Sequence, residues 1–88
     1  MEVIFYTGIM KYTGGTASVA IDPGSCPDLR SLIGELGSRF GKELENALLC
    51  GEGSLLLVNG RAVMTTGGVD TPLKQEDIIE ILPAAGAG

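Results

Sequence analysis

The chain has no histidine, and its six lysines and arginines never stand next to one another. Without imidazole, and with few metal ligands, the usual pairs of nucleophile and base cannot be assembled. Glu43 with Glu45, and Glu76 with Asp77 and Glu80, are the carboxylates close enough in sequence to pair. The first pair reads as a solvated helix face and the second group as a loop and strand edge, so neither is assigned to hydrolysis and no metal site is expected. Cations this scattered cannot neutralise a row of phosphates, which argues against a nucleic-acid partner. No apolar run approaches the roughly 20 residues that span a bilayer. The opening Met1-Glu2-Val3-Ile4 has no basic stretch of the kind that begins a signal peptide. Cysteine is scarce too: Cys26 and Cys50 are too few for a disulfide scaffold and lack C-x-x-C spacing. Both read as inert thiols in a reducing environment, and a cytoplasmic location is expected.

Apolar residues make up 44% of the 88 positions and charged residues only 19%, a balance that favours a packed globule over a disordered chain. The length suits one domain. A chain of this size buries only roughly 60–65% of its unfolded surface, so the core must be economical. The net charge of −5 points to steering towards a basic protein face.

Residues 2–9 read as a strand because β-branched and aromatic side chains dominate, with Val3 and Phe5 on one face and Ile4 and Tyr6 on the other. After Gly14-Gly15, residues 16–22 alternate Ala17, Val19 and Ile21 against Thr16, Ser18 and Ala20, the period of a half-buried strand. Asp22-Pro23-Gly24 breaks it. Asp28 then starts a helix, either as its N-cap or as an acid of the first turn. Leu29, Leu32, Ile33, Leu36 and Phe40 form the apolar stripe of that helix, and Gly41 ends it. Gly34 and Gly37 are expected where the helix comes close to the sheet. Residues 43–49 suggest a short helical turn in which Leu44, Ala47 and Leu48 cover one end of the core.

Gly51-Glu52-Gly53 reads as a loop, and residues 54–59 as a strand with four consecutive apolar positions. Asn59-Gly60 fits a type I′ hairpin turn, followed by a short returning strand over residues 61–64. Residues 71–75 read as a tight turn and residues 78–82 as the last strand, with Ile79 and Ile81 inward if Glu80 faces solvent. The resulting order predicts an α+β fold: a mixed sheet of four or five strands, one main helix packed on one face, and the first and last strands side by side in the middle. Residues 1–82 form this domain, and residues 83–88 are expected to be a flexible tail.

Leu57-Val58-Asn59-Gly60, then Asp70-Thr71-Pro72-Leu73 with Asp77-Ile78-Ile79, then Ile81-Leu82-Pro83 and small residues to Gly88 occur in an order and at distances that resemble the β-grasp, ubiquitin-like sulfur carriers. That family includes the small subunit of molybdopterin synthase, the thiazole sulfur carrier and the archaeal ubiquitin-like modifiers, and the resemblance covers nearly the whole chain. It implies a ubiquitin-like β-grasp fold and chemistry at Gly88. A partner E1-like adenylating enzyme uses ATP to activate the terminal carboxylate, and a sulfur donor converts it to a thiocarboxylate. On the same resemblance the chain itself is expected to bind no cofactor and to have no independent catalytic site, being at most the carrier subunit of a synthase. Molybdopterin biosynthesis, with the synthase large subunit as second partner, is the role the resemblance favours. The alternatives are a modifier conjugated to lysines and a β-grasp binding module whose tail does no chemistry.

A carboxylate is a poor electrophile until one oxygen becomes a good leaving group, so activation inside another protein is reasonable on chemical grounds. Residues 83–88, from Pro83 through Gly86 and Ala87 to Gly88, can extend about 20 Å at ~3.3 Å each, far enough to enter a partner's channel. The family ends in Gly-Gly, whereas this chain ends Gly86-Ala87-Gly88. The additional methyl costs roughly 1–3 kcal/mol in a tight channel. Such a penalty slows activation roughly 5- to 150-fold. With Val3, Phe5, Leu56, Val58, Ile79 and Ile81 inward, the outward set is Ile4, Tyr6, Leu55, Leu57, Ile78 and Leu82. Apolar surface beside an acidic rim has the character of a protein-docking patch.

Overall fold

The computed structural model describes residues 1–22, 24, 26–50, 54–63 and 67–83. The first strand, β1 (Glu2–Phe5), is shorter than its β-branched run suggests. It stops because the Tyr6 carbonyl accepts from the N–H groups of Ile9 at 2.8 Å and Met10 at 3.1 Å, turning the chain into a 3-10 turn over Met10–Tyr12. Ile9 is still buried, so the apolar run continues into the core without continuing the strand. β2 (Ser18–Ala20) pairs antiparallel with β1. Backbone bonds beyond its ends, Phe5 N–H to Ala17 O and Ile21 N–H to Met1 O, extend the contact towards the expected length.

Helix α1 (Leu29–Phe40) begins as its sequence dictates. Asp28 has extended backbone, and its carboxylate accepts from Ser31 N–H at 2.9 Å, the geometry of an N-cap. Leu29, Leu32, Ile33 and Leu36 are buried, and Gly41, at φ 116°, closes the helix. α2 (Lys42–Cys50) is a full helix of nine residues, longer than the turn expected, with Leu44 and Leu48 buried. Its presence corrects the expectation for the α1 glycines. A Cβ at Gly37 would meet Glu45 Cβ at 2.8 Å, so Gly37 lets α2, not the sheet, come close, and at Gly34 there is open space.

β3 (Ser54–Val58) and β4 (Arg61–Ala62) form the hairpin that Asn59-Gly60 announces. Both turn residues have positive φ, 53° and 84°, as a type I′ turn requires. The expected loop at residues 51–53, the end of the returning strand at Met64, and residues 84–88 lie outside the described residues. β5 (Ile78–Pro83) completes the set.

Among the described residues the strands form one five-stranded sheet in the order β2-β1-β5-β3-β4. β1 and β5 are parallel neighbours, with Val3 opposite Ile79 and Phe5 opposite Ile81. β3 joins β5 antiparallel, with Leu56 opposite Ile81 and Val58 opposite Ile79. These six side chains are all buried, and each contributes on the order of 1.5–3 kcal/mol by leaving water. Phe5 also meets Phe40 edge to face, with ring centroids 5.4 Å apart. The core thus lies between the helices and one face of the sheet, and the other face carries neither helix.

Candidate partner-docking face

Strand alternation and the observed register place the outer face in rows. The middle row runs Ser18, Ile4, Glu80, Leu57, Ala62 across the sheet. Glu2 and Ile78 lie on one side of it, and Leu82 with Leu55 on the other. Tyr6 follows β1 on the same side as Leu82, its N–H donating to Ile81 O at 3.0 Å. Tyr6 and Ile78 are 40% and 43% exposed, while Ile4, Leu55, Leu57 and Leu82 are half-buried. The six residues singled out in the sequence are therefore brought together on one surface. Antiparallel sheets with one open face normally turn polar residues to water, and parallel pairs are normally covered on both faces. Here a parallel pair sits at the centre with an open and mainly apolar outer face.

Glu80 faces outward from β5 as expected, but because β5 is the central strand its carboxylate stands in the middle of the apolar surface and not at an acidic rim. The Tyr6 hydroxyl donates to Glu80 Oε2 at 2.6 Å, the length of a charge-assisted bond. That bond and the adjacent negative charge raise the Tyr6 phenol above its ordinary pKa. The sequence signals for the pair are the shared outward parity of positions 6 and 80 and the expected adjacency of the first and last strands; the register that joins them comes from the parallel pairing of β1 with β5.

Of the other carboxylates singled out, Asp77 and Glu45 have structural work. Asp77 is buried and accepts from Asn59 Nδ2 and from Lys74 N–H, each at 2.8 Å, tying the β3–β4 turn to the start of β5. Glu45 lies 3.8 Å from Lys42 Nζ, and Glu43 is exposed. A shallow groove lined by Asn59, Arg61, Pro72, Lys74 and Asp77 therefore has its carboxylate already engaged. Cys26 is fully buried, and burial raises its thiol pKa, which suits an unreactive side chain. Among the described residues no cluster of acidic, histidine or cysteine side chains could hold a metal ion, and no helix is long and apolar enough to cross a membrane.

Pro83 is the last residue of β5, opposite Ser54. Proline has no N–H to donate to a ladder, which suits a position at the end of the described strand. Its ring rests on the backbone of Gly8, where a Cβ would lie 2.7 Å from Pro83 Cγ. Gly86, Ala87 and Gly88, the residues to which the resemblance assigns chemistry, lie outside the described residues.

The sheet order and helix placement are shared with solved structures. The CysO protein of Mycobacterium tuberculosis superposes with a TM-score of 0.81 at 24% identity, over 96% of this chain and 98% of that one. CysO of Amycolatopsis orientalis, solved in complex with BexX, gives 0.80 at 26% identity over 99% and 98%. Urm1 of Trypanosoma brucei gives 0.75 at 27% identity over 99% and 93%. No curated protein matches the chain in sequence. The model of the ThiS family matches residues 3–88, and the chain belongs to that family of β-grasp, ubiquitin-like sulfur carriers.

Proposed function

We propose that this chain carries sulfur on its terminal carboxylate. An E1-like enzyme docks on the outer sheet face and draws residues 84–88 into its active site. There the Gly88 carboxylate attacks the α-phosphate of ATP, releasing pyrophosphate and forming an acyl-adenylate. A sulfide donor attacks the carbonyl carbon, AMP leaves, and a thiocarboxylate remains for delivery to a cofactor precursor. Molybdopterin formation, with a synthase large subunit as second partner, is the acceptor pathway implied by the sequence resemblance.

One observation carries the reading: the apolar outer face runs along β5, and the glycine-ended segment follows that same strand at Pro83. A partner gripping Leu55, Leu57 and Leu82 therefore holds the strand that feeds its active site. The complex of A. orientalis CysO with BexX supports a docked mode of action for such a protein.

Intact mass tests the proposal after incubation with the adenylating enzyme of the same genome, ATP and sulfide. The expected result is the mass gain of one oxygen exchanged for sulfur, abolished by removing Gly88. Ala87→Gly should accelerate conversion roughly 5- to 150-fold if the partner's channel is tight. No gain for either form would overturn the carrier reading and leave a binding module. An adduct on a lysine would instead establish a modifier.

A further inference from the structure

The outer face combines apolar surface with a charge that no group among the described residues neutralises. Glu80 sits at its centre, flanked in the same row by Ile4 and Leu57. Glu2 adds a second carboxylate at the rim. None of the six cations stands on this face. Arg30, Arg39 and Lys42 lie on the helices, Arg30 paired with Asp70 of the 3-10 turn Gly68–Asp70 and the other two with the helical carboxylates Glu35 and Glu45. Lys11 lies over the Tyr12 ring, Lys74 precedes the turn into β5, and Arg61 is opposite Val58, with inward parity. Among the described residues, the Glu80 carboxylate therefore has one hydrogen-bond partner, the Tyr6 hydroxyl on Oε2.

An apolar surface closing over this site would strip water from the carboxylate. A buried carboxylate with only one neutral donor is strongly unfavourable, and a basic side chain brought by the partner removes the penalty. Tyr6 fixes the position of one oxygen, so Oε1 is the atom left to receive that donor. The Tyr6 bond also pre-organises the acceptor before the partner arrives.

We infer that the protein docking on this face presents an arginine or lysine within an apolar surround, and that Glu80, positioned by Tyr6, is the residue that selects it. The inference rests on the carrier reading only in taking the adenylating enzyme as the protein that meets this face. A second copy of the chain is a poor occupant. Two-fold self-docking through this face would bring the central carboxylates together, and the net charge of −5 on each copy adds to the repulsion. A basic partner face gains from the same charge, which steers encounter as well as fixing register.

The test measures the Kd of the adenylating enzyme from the same genome for the wild-type chain and for Glu80→Gln, Glu80→Lys, Tyr6→Phe and Glu76→Gln. Circular dichroism verifies folding of each variant. Glu76 is exposed on the turn before β5 and serves as the control carboxylate. Glu80→Gln should weaken binding at least about tenfold, and Glu80→Lys further. Tyr6→Phe should weaken it less, and Glu76→Gln should leave it unchanged. Raising salt should weaken wild-type binding more steeply than that of Glu80→Gln. Wild-type affinity in folded Glu80→Gln would overturn the inference, as would sedimentation showing a dimer dispersed by Glu80→Lys. Wild-type binding that depends on Glu80 without thiocarboxylate formation would sink the carrier reading alone. Absence of any wild-type binding would sink both.

Discussion

Gly8→Ala tests how the chain is held where it leaves the sheet. The backbone at Gly8 is not among the positive-φ positions, so alanine meets no conformational obstacle there. The added methyl would, however, stand 2.7 Å from Pro83 Cγ and 2.8 Å from Pro83 Cβ. Carbon atoms in good contact lie about 3.5–4.0 Å apart, so the ring or the Tyr6–Ile9 turn must retreat by roughly 1 Å. Overpacking of this kind costs about 1–3 kcal/mol. In a domain of this size each 1 kcal/mol lowers Tm by roughly 4–8 °C. The contact is specific, so a double-mutant cycle with Pro83→Gly should recover most of the loss. Thermal melts of the four proteins measure stability, and thiocarboxylate formation by each reads the effect on the departing tail. The alanine variant should lose both stability and conversion rate. An unchanged Tm, or an identical loss in the Pro83→Gly background, would refute the claim that Gly8 makes room for the proline.

Gly34→Ala should stabilise the chain by about 0.5–1 kcal/mol, since the helix gains propensity and the site is open. Gly37→Ala should lose that gain and more to Glu45; equal stabilisation of both in urea melts would contradict the close α1–α2 approach. Asp28 is held below the ordinary carboxylate range by bonds from the Ser31 N–H and hydroxyl. Its contribution is therefore present above that range and disappears as pH falls through the depressed value. Asp28→Ala should melt lower than wild type at pH 7, with the gap narrowing below about pH 4. A constant gap across the titration would exclude the capping carboxylate as its cause.

The strands and the main helix were legible because their signals are local. Asn59-Gly60 specifies its turn by backbone chemistry, Asp28 its helix by a side-chain acceptor, and alternation sorts Val3 and Phe5 from Ile4 and Tyr6. The early end of β1 was not legible, since the Tyr6 carbonyl's capture by Ile9 and Met10 competes with a sequence that otherwise favours a strand. The role of Gly37 depends on α2, a neighbour that periodicity in α1 cannot announce. The central place and outward direction of Glu80 were legible, but its bond to Tyr6 depends on the parallel register of β1 and β5, which alternation within either strand does not supply.

The parallel pairing of β1 with β5 also governs when the molecule can exist during synthesis. Glu2 waits opposite Ile78, and the intervening chain must be made before the sheet's middle can close. Contacts between segments so distant in sequence slow folding, because the loop entropy is lost before the pairing compensates for it. An interrupted translation product lacking residues 78–83 would hold β1 and β3 with no strand between them and would display no outer face. Any partner reading that face would pass over such fragments, so the architecture itself would restrict docking there to chains that have been made through their last strand.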